Sequence, residues 1–136
     1  MTRDELKQIY FINKEIEMWE RELEKVRAQS EVQTKKLSGM PFANTNDISD
    51  PTSDIAIKLI DIEMIILGKK KELEYKRYEI MKFINNIEDS YMRLIVKYRC
   101  VDCLKWEQVA DLVGTNAESL RQAFKRFCNA QDEIKG

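Results

Sequence analysis

Arg121, Gln122, Lys125 and Arg126 crowd one short run near the C-terminus, NAESLRQAFKRF (116–127). Arg can pair bidentately with guanine and Gln with adenine, so Arg121 and Gln122 are the side chains best suited to reading base edges. Lys125 and Arg126, a turn further on, suit phosphates, which fix position rather than sequence. Glu118 can accept from a cytosine amino group or favour a helix N-terminus electrostatically. Asn116 has the side chain expected of an N-cap for this helix. Leu120, Phe124 and Phe127, at steps of four and three, form its buried face. That leaves Ala117, Glu118, Ser119, Arg121, Gln122, Lys125 and Arg126 outward, the arrangement a recognition helix requires.

Other chemistries find little here. The chain has no histidine, which removes the commonest general base. It has no glycine-rich phosphate loop and no serine or cysteine nucleophile with an evident partner. Cys100-x-x-Cys103 invites a zinc or redox reading, but structural zinc wants four ligands and the chain offers one further cysteine, Cys128. Small buried residues at a helix turn are the simpler reading. Three cysteines cannot all pair within one chain, and reduced thiols in a cytoplasm account for them. The acidic groups Glu15/Glu17 and Glu20/Glu22/Glu24 lie among basic neighbours on a heptad helix and read as solvated faces. The expectation is a protein that is not an enzyme, with no cofactor and no metal.

The elements that must position the C-terminal run are short helices. Trp106–Val113 is one, with Val109, Ala110 and Val113 inward and Ala110 small enough to let the next helix cross closely. Gly114 is the residue expected to end it in a left-handed conformation. The last helix is expected over about 117–129. Another helix carries Met92, Ile95, Val96 and Arg99, followed by a turn at Cys100–Cys103. Tyr98 and Trp106 read as core. Lys105, together with Lys97 and Arg99, is a candidate for phosphate contact, with solvated surface the competing reading.

Tyr98-Arg99, Leu104, Trp106-Glu107, Val109-Ala110, Val113-Gly114 and Leu120-Arg121 match, without a gap, the pattern of the fourth conserved region of sigma factors, which this third of the chain resembles. Cys103 departs from it where a Gly is usual, and Lys105 where a Ser or Thr would cap the helix. Nothing resembles the sigma region that melts promoters. The whole chain resembles phage-encoded late-gene regulators of the ArpU and RinA type. The resemblance implies binding to double-stranded promoter or operator DNA in the cytoplasm of a bacterial host, and contact with host RNA polymerase or sigma factor.

Ahead of this module the pattern is long and regular. Thr2 and Glu5 have capping-box spacing. Ile9, Ile12, Ile16, Trp19, Leu23 and Val26 then recur at steps of three and four, a heptad seam that should run to about Leu37. Ser38-Gly39-Met40-Pro41 stops it, and Phe42–Asp50 reads as a polar loop. Asp50-Pro51 signals the start of a second long helix. Ile55, Leu59, Ile62, Ile66, Leu73, Ile80 and Phe83 form its seam, interrupted by Lys69 and Lys76. The basic run 69–77 (KKKELEYKR) reads as a solvated helix face, with phosphate contact the competing reading. Gly68, folded back near Trp19, is expected to make room for the indole or to allow a kink. Met64, Ile65, Leu67, Tyr75 and Tyr78 are left to cover the C-terminal module or a second subunit.

The reading is therefore all-α: a long antiparallel helical hairpin (1–86) followed by a three-helix DNA-binding module (87–136). A charged fraction of 35% with four glycines and two prolines suits exposed helices. Lys+Arg 23 against Asp+Glu 24 gives a net charge of −1, so any attraction to phosphate must be local. No run approaches the roughly 18 apolar residues of a membrane span, and MTRDELKQIY is acidic where a signal peptide would be apolar. A homodimer through the hairpin would space two recognition helices on a two-part site. The competing readings are a DNA-packaging recognition subunit resembling small terminases, and a protein-interaction module that binds sigma factor or polymerase without DNA.

Overall fold

With so few glycines and prolines there are few places where a helix must stop, and every regular element among the described residues of the computed structural model is helical. It describes residues 1–38 and 51–135. In chain order the helices are α1 (Arg3–Leu6), α2 (Gln8–Ser38), α3 (Pro51–Asn85), α4 (Ser90–Val96), α5 (Trp106–Val113) and α6 (Ala117–Lys135), with a wide π-turn at Lys97–Val101 after α4. The expected loop at Phe42–Asp50, the stop at Gly39-Met40-Pro41 and the Asp50 cap lie outside the described residues. Pro51 does open α3, where its missing N–H costs nothing.

The packing forms two units, Met1–Asn13 with Glu72–Gly136, and Lys14–Lys71. Their boundaries cut across α2 and α3, and neither falls at residue 86. In the first unit the Thr2 hydroxyl accepts from the Glu5 N–H at 3.3 Å, as the capping spacing implies. The Arg3 N–H donates to Asp132 Oδ1 at 2.9 Å, and the Arg3 guanidinium donates to Asn129 Oδ1 at 2.8 Å. These bonds tie the N-terminus to the far end of α6, and α6 runs to Lys135 rather than ending near Asn129. Leu6, Ile9, Ile12, Ile80, Ile95, Val96, Val109, Leu120 and Cys128 are almost wholly buried. Residues from both ends of the chain thus supply one core. Between α3 and α4, the Arg93 guanidinium donates to the carbonyls of Ile87 (2.6 Å) and Glu88 (3.2 Å), and Asp89 caps α4 by accepting from Tyr91.

In the second unit Ile16, Leu23 and Val26 of α2 and Ile55 and Ile66 of α3 are buried, as their heptad steps require. Trp19, Leu59 and Ile62 are half-buried. Glu15 pairs with Lys69 at 3.1 Å and Arg27 with Glu63 at 3.6 Å, so the two helices run in opposite directions. Lys69 thus interrupts the apolar seam but takes an ionic partner across the pair.

One expectation is corrected here. Gly68 makes no room for an indole: a Cβ built on it meets nothing within 4 Å, and α3 continues through it without a break. Met64, Ile65, Leu67, Tyr75 and Tyr78, expected to cover the C-terminal module or a second subunit, are all exposed.

Two outcomes follow for stability. Gly68→Ala should raise the unfolding free energy by about 0.5–1 kcal/mol, the ordinary helix-interior difference between these residues, read from urea midpoints. Leu6→Ala should cost about 2–5 kcal/mol and lower the unfolding midpoint of α6 along with that of the N-terminus, read by near-UV circular dichroism at Trp106.

Candidate nucleic-acid interface

The segment from α5 to α6 is built as its residue types require. Lys105 is extended at the start of α5, and its N–H donates to Gln108 Oε1 at 2.9 Å. An ammonium cannot accept in return, so this cap is one-sided. The reciprocal bond that a Ser or Thr at 105 would make to the Gln108 N–H is missing, yet the helix begins at Trp106. At the other end Gly114 takes φ +87° and donates to the Ala110 carbonyl at 2.8 Å, the left-handed closure that glycine permits. Asn116 Oδ1 then accepts from the Ser119 N–H at 2.8 Å and starts α6. Val109 and Leu120 are fully buried, and the Trp106 and Phe124 rings lie 5.4 Å apart between the two helices.

This packing leaves Glu118, Ser119, Arg121, Gln122, Lys125 and Arg126 exposed on α6, with Asn116 and Lys105 exposed before their helices. Ala117, expected outward, is half-buried. The polar face is wired internally. One Glu118 oxygen accepts from Gln122 Nε2 at 3.0 Å, and the other lies 3.4 Å from an Arg121 nitrogen. Glu107 of α5 reaches the same guanidinium at 3.5 Å. The Gln122 amide, and then the Arg121 guanidinium, hold the Glu118 carboxyl below its ordinary pKa. Lys125 and Arg126 form no ion pair among the described residues. Glu107 was not foreseen as a partner: it and Arg121 are on different helices, and no spacing in the sequence joins them.

Two of the three further basic candidates are already used. The Arg99 guanidinium donates to the Leu104 carbonyl at 2.9 Å and lies 4.7 Å over the Trp106 ring. That cation–π contact, worth about 0.5–1 kcal/mol at a partly exposed site, clamps the π-turn onto α5. Lys97 is held by Asp102 at 2.7 Å. Lys105 is the one whose side chain stays exposed.

All three cysteines are free, with Cys100 and Cys128 buried and Cys103 half-buried. Cys103 sits at φ +55°, where the sigma-like pattern has Gly. Its thiol lies 3.8 Å from the Cys100 carbonyl. Burial pushes the Cys100 thiol up to about 12, with Cys128 nearby adding to the effect. Among the described residues no three His, Cys, Asp or Glu side chains gather as a metal site, and no helix is long and apolar enough to cross a membrane. No family model, no curated protein and no solved structure matches the chain.

A pH dependence follows from Cys100. Its folded pKa is raised above the ordinary value of 9.0, so it contributes nothing to the pH dependence below that value. Its contribution is lost as the pH climbs toward about 12, because the unfolded thiol ionises first. Between about pH 8 and pH 10 the chain should lose about 1 kcal/mol more stability than the Cys100→Ala variant, compared by urea midpoints at both pH values.

Proposed function

We propose that this protein is a sequence-specific DNA-binding transcriptional regulator. In this reading α5 and α6 are a helix-turn-helix like the fourth conserved region of sigma factors, and α2 with α3 form a long hairpin arm that makes the chain a homodimer. The observation that carries it is the α5–Gly114–α6 unit, whose buried Val109 and Leu120 leave Arg121, Gln122, Lys125 and Arg126 together on one exposed helix face. Arg121 and Gln122 read bases, Lys125, Arg126 and Lys105 hold phosphates, and Ser119 and Asn116 add polar contacts at the helix start. Glu118 and Glu107 keep Arg121 in place until DNA arrives. Exposed ion pairs of this kind are worth about 0–1 kcal/mol, little enough to be exchanged for a guanine edge. The site is promoter or operator DNA in a bacterial host, and the resemblance to ArpU and RinA regulators supports activation of phage late genes with host RNA polymerase.

The exposed apolar residues of α3 favour a second reading, an interaction module that engages sigma factor or polymerase without DNA. Fluorescence anisotropy separates the two, using labelled duplex from upstream of the protein's own gene. The regulator should bind this duplex more tightly than random duplex, with affinity falling steeply as salt rises. Arg121→Ala should cost about 1–3 kcal/mol and relax specificity at one base pair, and Lys125→Ala should weaken all duplexes alike and flatten the salt slope by about 1. Binding no tighter than to random duplex, unchanged in the Arg121→Ala/Lys125→Ala/Arg126→Ala triple variant, would remove DNA from the reading.

A further inference from the structure

Helix α3 is apolar on two opposite faces between residues 55 and 67. Ile55, Leu59, Ile62 and Ile66 form the seam already described. Ile57, Ile60, Met64 and Leu67 recur at steps of three, four and three on a second stripe, about 150° round the helix at 3.6 residues per turn. These four are 54%, 57%, 66% and 57% exposed. A helix hydrophobic on both sides belongs between two partners, and α2 supplies only one. The outward residues of α2 in the same unit are mostly charged, among them Glu17, Arg21, Glu24 and Lys25. The stripe therefore belongs to α3 alone, in heptad spacing, which calls for another helix lying along it.

The charges beside the stripe identify that helix. Glu63 and Lys70 lie seven residues apart on the same flank, one at the acidic end of the stripe, with Asp54 and Asp61, and one at its basic end, with Lys71. A two-fold axis passing between Met64 and Leu67 reverses the direction of a second α3. It seats Met64 against Leu67 of the second copy, twice, and brings Glu63 beside Lys70 of the second copy, also twice. Lys71 then lies beside Ile60 and Glu74 beside Ile57 of the other copy, so only the aliphatic stems of these two charged side chains pack on the isoleucines. A parallel pairing instead opposes Lys71 to Lys71 at the next position of the stripe and leaves Glu63 facing Gly68. Glu63 already meets Arg27 of its own chain at 3.6 Å, and a carboxylate can serve both cations. We infer that the chain self-associates through Met64 and Leu67 of the α3 stripe, flanked by Ile60 and Ile57, antiparallel, as an isologous dimer whose register is set by Glu63–Lys70 pairs.

This rests on the part of the proposed reading that makes the chain a homodimer. Its test involves no DNA, so the two fail separately. Sedimentation velocity of the full chain over a concentration series should show a dimer, and Met64→Glu/Leu67→Glu, which opposes carboxylates at the centre of the contact, should be monomeric with unchanged helicity. Glu63→Lys and Lys70→Glu, each alone, place like charges opposite each other at both pairs and should weaken association roughly tenfold. An equal mixture of these two variants restores opposite charges at both positions, and should associate as tightly as the unaltered chain. That recovery also proves each variant folded. A monomer at every concentration would overturn the inference. So would a dimer indifferent to Met64→Glu/Leu67→Glu, an assembly larger than a dimer, or a mixture no tighter than its components.

Discussion

The bond from the Arg3 N–H to the Asp132 carboxylate, with the Arg3 guanidinium on Asn129 beside it, is the constraint on which the C-terminal part of the molecule depends. Three short helices and a π-turn are too little chain to bury a core of their own. The N-terminal residues provide the missing surface: Leu6, Ile9 and Ile12 are buried as completely as Val109 and Leu120, and the end of α3 adds Leu73, Ile80 and Ile84. Closing the two ends of the chain on each other turns a fragment of helices into a unit with a single interior.

That closure bears directly on the proposed interface. A helix that reads bases must hold its side chains steady against the rest of the protein. Helix α6 is fixed along its length by different partners. Phe124 packs on Trp106, Phe127 lies 6.2 Å from Phe83 of α3, and Asn129 and Asp132 are bound by Arg3. Arg99 lies over the same Trp106 ring at 4.7 Å. Across helices, Arg121 on the exposed face of α6 is linked to Glu107 of α5, and that link is weak enough to break on binding.

Much of this was legible in the sequence because it is local. The Thr2 cap, the end of α3 at Asn85, the left-handed Gly114, the Asn116 cap and the start of α6 each depend on residues within a turn of one another. The all-helical class followed from composition and period alone. What stayed hidden depends on distant residues. No periodicity says that Arg3 meets Asp132, or that Glu107 meets Arg121. Gly68 misled for the same reason: its neighbours across the helix pair had to be guessed, and the space beside it is open. Cys103 takes a positive φ, a conformation that its residue type does not announce.

Hydrogen exchange of the full chain under increasing denaturant measures the closure most directly, since amides that share one opening event lose protection together. The account predicts that amides of Ile9–Ile12, Ile80–Ile84 and Leu120–Phe124 converge on one opening free energy and one denaturant slope. If residues 9–12 open at low denaturant while α5 and α6 keep their full protection, the C-terminal helices hold a core of their own and the closure is not what supports them.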